Sequence, residues 1–214
     1  MPTSSQWLAF LVASILFIQV PGPSLLFTIG RALTVGRRDA LLSVVGNGIG
    51  LLSQVLLVAV GLGAVVAASA TAYTVLKLAG AAYVVWLGIQ AIRNRADARK
   101  AMDEATAGRA GPRESAAKSV RTGFIVGATN PKSIVFFVAF LPQFANEAAG
   151  HTGAQLAVLG VVFAAMAISS DTVWALVASK ARDWFARRPQ RLDRLGATGG
   201  AMMVGLGVTM AATE

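Results

Sequence analysis

Apolar residues dominate six stretches of this chain, roughly residues 5–29, 40–67, 72–92, 122–144, 152–179 and 195–212. At about 1.5 Å of rise per residue, such lengths cross or nearly cross a hydrocarbon core about 30 Å thick. The pattern predicts an all-α polytopic membrane protein with six transmembrane helices. Polar residues gather in one long segment, 93–121, where Asn94, Arg95, Asp97, Arg99 and Lys100 precede Gly108, Gly111 and Pro112. That order reads as a helical extension running into a linker. It separates a first three-helix unit, 1–92, from a second, 122–214.

The two units can be laid on each other. Pro21, Gly22, Pro23, Ser24 and Phe27 of the first span match the positions of Asn130, Pro131, Lys132, Ser133 and Phe136 of the fourth. Ser53 and Gln54 lie against Ser170 and Asp171, Gly80 falls on Gly199, and Leu87-Gly88 on Leu206-Gly207. Chance likeness between apolar segments is the competing account. Because three spans per unit is an odd number, the second unit must enter from the opposite side, giving two inverted three-helix repeats.

Charge gives the sidedness. Of the nineteen Lys and Arg residues, seventeen fall into three clusters, at Arg31 to Arg38, Arg93 to Arg121 and Lys180 to Arg194, which follow spans one, three and five. Lys77 and Lys132 are the exceptions. Cytoplasmic loops retain Lys and Arg, so these clusters are expected inside and both termini outside. The predicted outer segments, residues 1–6, 68–71, 146–153 and the C-terminus, carry no Lys or Arg. Only 14% of the residues are charged, against about 25% in a soluble domain. The net charge of +9 follows topology, without an aromatic-interleaved basic surface, so anionic membrane lipids are expected partners and nucleic acid is not. With no Cys and one His, His151, disulfides and thiolate metal sites are excluded, and no cofactor or metal is expected. No basic residue precedes the first apolar run, and Pro-Gly-Pro rather than a small-residue cleavage site follows it, so no removable signal peptide is expected.

The candidate chemistry lies inside the spans. Pro21 and Pro23 interrupt the first and Pro131, after Asn130, the fourth; each proline removes a backbone donor and opposes helix continuation. Helices one and four are therefore predicted to be broken at Pro, and breaks in equivalent places of two repeats point to a midplane binding site. A kink tolerated for packing is the blander account. Asp171 is the only acidic residue well inside an apolar span, where an ionised carboxylate costs about 2.5–3.5 kcal/mol, so it should face the bundle or a cavity. It is the candidate for proton coupling or ammonium binding, and an ion pair with Lys132 is the structural alternative. Lys132 could instead snorkel. Asn47 and Gln54, two turns apart, offer donors and acceptors to a zwitterion or to neighbouring helices. Trp174, one turn from Asp171, is a further candidate contact. Gly46 with Gly50, Gly123 with Gly127 and Gly196 with Gly200 form small-xxx-small pairs that permit close helix contact.

In these motifs the chain resembles the lysine-exporter, LysE/RhtB-type, amino-acid exporter family. The likeness rests on Pro21-Gly22-Pro23, Gly36-Arg37-Arg38, Leu78-Ala79-Gly80-Ala81-Ala82-Tyr83, Asn130-Pro131-Lys132, Phe136-Phe137 and Leu141-Pro142-Gln143-Phe144, over nearly the whole chain. The resemblance implies efflux of amino acids or close relatives from the bacterial cytoplasm across the inner membrane, driven by proton motive force, often by homodimers built of inverted three-helix repeats. Pro21, Gly22, Pro23, Asn130, Pro131 and Lys132 carry over by that match. Ser24, Asn47, Gln54 and Trp174 complete the candidate substrate site, with Asp171 the proton-coupling group. Some relatives are expected to carry an acidic residue where this chain has Asn47 and Gln54, which favours a neutral over a basic amino acid. Divalent-cation efflux is a rival, but the ligand supply is poor. An intramembrane enzyme would need a base beside Ser24, Ser133 or Ser170, and no span contains a His. A non-transporting subunit gains nothing obvious from polar groups at such depth.

Overall fold

The computed structural model describes residues 1–20, 22–68, 70–93 and 114–180, with single positions between 197 and 208. Pro21, the side chain of Lys77, the polar linker, the basic residues after Lys180 and most of the sixth apolar stretch, with Gly196 and Gly200, lie outside the described residues.

The first apolar stretch forms two helices. In α1, Ser4–Gln19, a capping box starts the helix: the Thr3 hydroxyl accepts from the Gln6 amide and the Gln6 side chain accepts from the Thr3 amide. Helix α2, Pro23–Thr34, opens with proline at a position where the missing N–H would have no helical partner anyway. The two axes meet at 48°. Gly36, at φ 91°, supplies the left-handed turn into α3, Arg37–Ala68, which α4, Ala70–Arg93, follows. The fourth stretch is also divided. Helix α5, Ala116–Ala128, is capped by Ser115, and Asn130 caps the short α6, Pro131–Val135. A wide π turn, Phe136–Phe140, and a 3-10 turn, Leu141–Phe144, continue it at 42° to α5. Helix α7, Thr152–Lys180, completes the described helices.

Among the described residues, helices α3 and α7 are long and apolar enough to cross a membrane, and up to four spans result if each bent pair counts as one. Their outward faces suit lipid: Leu8, Val12 and Ile15 on α1, Leu56, Leu57 and Val60 on α3, and Val161, Val173 and Val177 on α7 are all exposed. Lipid is as apolar as leucine, so close packing rather than water exclusion must hold such helices together. Helices α3 and α5 use glycine for this. A Cβ at Gly46 would overlap the backbone at Val120 and Phe124, one at Gly50 the backbone from Phe124 to Ala128, one at Gly123 the Ser43 carbonyl, and one at Gly127 the Asn47 carbonyl. Since 43 meets 123 and 47 meets 127, the two helices run parallel. Helix α7 runs antiparallel to α3, as Gly48 against Ile168 and Gly160 against Val55 require.

Candidate functional site

Each helix break frees backbone carbonyls that must find donors inside the protein. At the end of α1, Lys132 provides them: its Nζ donates to the carbonyls of Phe17 at 2.6 Å and Val20 at 2.5 Å and stands 4.6 Å from the centre of the Phe17 ring. A cation at a helix C-terminus is also favoured by the helix dipole. Gly22 gives the lysine its path, because a Cβ there would stand 2.6 Å from Lys132 Cδ. At the end of α5, Gln54 has the same task, donating to the carbonyls of Gly127 and Ala128 at 2.9 Å each. The Pro-Gly-Pro and Asn-Pro-Lys motifs are thus physically joined.

Next to Lys132 a line of hydrogen bonds crosses four elements. Asn130 Oδ1 accepts from the Lys132 amide, which turns its Nδ2 toward Ser24 Oγ, 2.8 Å away. Ser24 donates to Asn47 Oδ1 at 3.1 Å, and Asn47 Nδ2 donates to Asp171 Oδ2 at 3.0 Å. All the donors point toward Asp171, and a carboxylate that only accepts is the natural end of such a line. The carboxylate is 6% exposed. The ion pair between Asp171 and Lys132 is not formed, because the ammonium is held by the two α1 carbonyls.

These groups line a narrow cavity of about 50 Å³, room for a few waters and less than an amino acid needs. Gly22, Ser24, Asn47, Asn130, Lys132 and Asp171 all reach it, with Ser133 beside them. Its other wall is apolar, formed by Phe17, Leu51, Phe163 and Ala167 among others. The N-terminus of α2 opens on the cavity at Gly22 without a side-chain cap, whereas α6 is capped by Asn130. The remaining candidates sit elsewhere. Pro23 and Pro131 start α2 and α6, Gln54 serves the α5 carbonyls, and Trp174 Nε1 donates to Gln19 Oε1 at 3.2 Å. Trp174 packs against the apolar cluster of α2, α3 and α7 and does not line the cavity, although it stands one turn from Asp171.

The apolar wall was missed in the sequence, although Phe163, Ala167 and Asp171 at four-residue spacing mark one face of α7. A second missed group lies at the basic end of the bundle. Arg31 donates to Glu114 at 2.6 Å, to Ser119 at 3.1 Å and to Ser43 at 3.1 Å, while the Glu114 amide donates to Asp39 at 3.3 Å. The Arg31 hydrogen bond holds the Glu114 carboxyl far below the usual carboxylate range, at about 2, against the opposing effect of burial. By sequence Arg31 counted only as a topological charge. Among the described residues no group of three or more His, Cys, Asp or Glu is placed to hold a metal ion.

Comparisons with known proteins agree over most of the chain. A family model described as LysE type translocator matches residues 15–214. An uncharacterized membrane protein of Vibrio cholerae serotype O1 is 37% identical over 209 residues, 97% of each chain. A homoserine/homoserine lactone efflux protein of Salmonella typhimurium is 33% identical over 212 residues, 99% of this chain and 98% of the relative. A leucine efflux protein of Klebsiella pneumoniae is 26% identical over 155 residues, 72% of this chain and 70% of the relative. No solved structure matches.

Proposed function

The chain belongs to the LysE type translocator family, and on that premise we propose that it exports amino acids or close derivatives, neutral ones in preference to basic ones, in exchange for protons. The relatives named for homoserine and for leucine efflux support the exporter reading. The observation that carries it to a site is the line from Asn130 through Ser24 and Asn47 to Asp171, at the junction of two broken helices. The substrate carboxylate sits at the uncapped N-terminus of α2, where Gly22 and Ser24 face the cavity and the helix dipole favours an anion. Its ammonium group meets Asp171. The Phe17 and Val20 carbonyls, a natural cation seat, are taken by Lys132, so Lys132 holds the break and lends positive charge to the carboxylate end. Asn47 and Gln54 add no second negative charge for a basic side chain.

In this reading the two broken helices are the first and fourth of six spans, arranged as inverted halves joined by a cytoplasmic linker, with the site at the midplane of a bacterial inner membrane and both termini outside. Protonation of Asp171 from the outer side releases the ammonium group and favours return of the empty carrier; facing inside, Asp171 loses that proton to the cytoplasm and the restored carboxylate binds the next substrate. A cavity of about 50 Å³ must widen to admit an amino acid, which is what a contracted state of an alternating-access carrier requires. The test is counterflow into proteoliposomes, screened over the twenty common amino acids and homoserine with and without an imposed pH gradient. Exchange of neutral amino acids, stimulated by the gradient, is expected. Exchange of none of them, or movement of divalent cations in their place, would contradict the reading.

A further inference from the structure

Helices α3 and α7 are antiparallel, so their cavity-facing positions can be compared level by level. Asn47 of α3 and Asp171 of α7 meet in a 3.0 Å hydrogen bond. One turn along, four residues on in α3 and four back in α7, the cavity is lined by Leu51 and Ala167. A further turn along α7 brings Phe163, whose ring stacks 4.3 Å from Phe136 and lies 6.3 Å from Phe17. Ile168, next to Ala167, is spent on Gly48 of α3, so Ala167 and not Ile168 faces the open space. The wall thus changes from a carboxylate and an amide to hydrocarbon within about 6 Å, the length of one helical turn.

An α-amino acid has the same profile. With the ammonium group at Asp171 and the carboxylate at the N-terminus of α2, the side chain can only extend along α7 toward Phe163. Leu51, Ala167, Phe163 and Phe17 present hydrocarbon there, and the Lys132 ammonium near the Phe17 ring is held by the Phe17 and Val20 carbonyls, so this part of the cavity suits an aliphatic group. Resting on the exporter reading above, we infer that Ala167 is the specificity-determining residue, and that the methyl group at this position sets how large a side chain the carrier accepts. Leu51 and Phe163 are already bulky and buried, whereas Ala167, between Phe163 and Asp171 on the same face of α7, is a small side chain lining the cavity.

The experiment uses the full-length chain in proteoliposomes and compares counterflow of alanine with that of leucine. Ala167→Val narrows the segment, and the leucine to alanine ratio of rate over KM is expected to fall about tenfold or more, as one or two methylenes in an apolar pocket do. Ala167→Gly widens it, and the ratio is expected to rise. A thermal melt in detergent confirms that each variant is folded; should the valine variant not fold, the glycine variant alone decides. Ratios unchanged in the folded variants, or both rates reduced in equal proportion, would overturn the assignment to Ala167. Absence of exchange of any amino acid by the unmodified chain would instead strike the exporter reading, and this inference with it.

Discussion

At the scale of single residues, the most informative pair is Gly22 and Lys132. The lysine reaches across from the second break to hold two carbonyls of the first, and it passes where a Gly22 side chain would be. The φ of Gly22, −119°, is open to any residue, so the need for glycine is spatial and not conformational. Gly22→Ala should therefore cost about 1–3 kcal/mol, the range for leaving a buried polar group poorly paired. In a Lys132→Ala background the same change should cost much less, because the side chain then ends at Cβ and nothing crosses the site. Melting temperatures of the four proteins in detergent check this as a double-mutant cycle, and equal costs in both backgrounds would remove the link between the motifs. Asp171 was legible from depth alone. What Lys132 binds was not, since a lysine inside a span can meet a carboxylate or free carbonyls, and only the position of the α1 end decides between them.

At the scale of elements, a broken helix is stable only if something answers for its freed carbonyls. The two breaks are answered by different residues, Lys132 for α1 and Gln54 for α5. Read from sequence, Gln54 is a candidate ligand because its side-chain amide offers both a donor and an acceptor. The close approach of α5, bought by Gly123 and Gly127, turns it into a cap. That packing predicts Gly127→Leu to be destabilising by about 1–3 kcal/mol or more, because the added atoms meet backbone that cannot step aside. It should also lower exchange, as the obstructed atom is the carbonyl of Asn47, the residue bonded to Asp171. Gly30→Ala, at a site with nothing within 4 Å, serves as the control and should be neutral or stabilising by up to about 1 kcal/mol. Chemical denaturation in mixed micelles measures both, and equal effects would show that the α3 and α5 contact is looser than described. The glycine pairs were visible as motifs in sequence, but which helix each pair would face was not.

At the scale of the whole molecule, two packed groups of side chains flank the cavity. Toward one end Phe17, Phe136 and Phe163 pack ring to ring, with centroids 4.3–6.3 Å apart. Toward the basic end Arg31 ties α2 to α3, to α5 and to Glu114. The helical class, the two breaks and the isolated acid were all legible, because apolar length, proline and charge are local signals. The aromatic cluster, the Arg31 cluster and the seating of Trp174 on Gln19 were not, because each depends on which helices become neighbours. The account as a whole depends on Asp171 exchanging a proton for the substrate's ammonium group. The direct measurement is pH-gradient-driven accumulation in proteoliposomes containing Asp171→Asn, set beside exchange without a gradient. Accumulation is expected to fall to the level seen without a gradient while a measurable exchange persists. Accumulation as steep as that of the unmodified chain would contradict it.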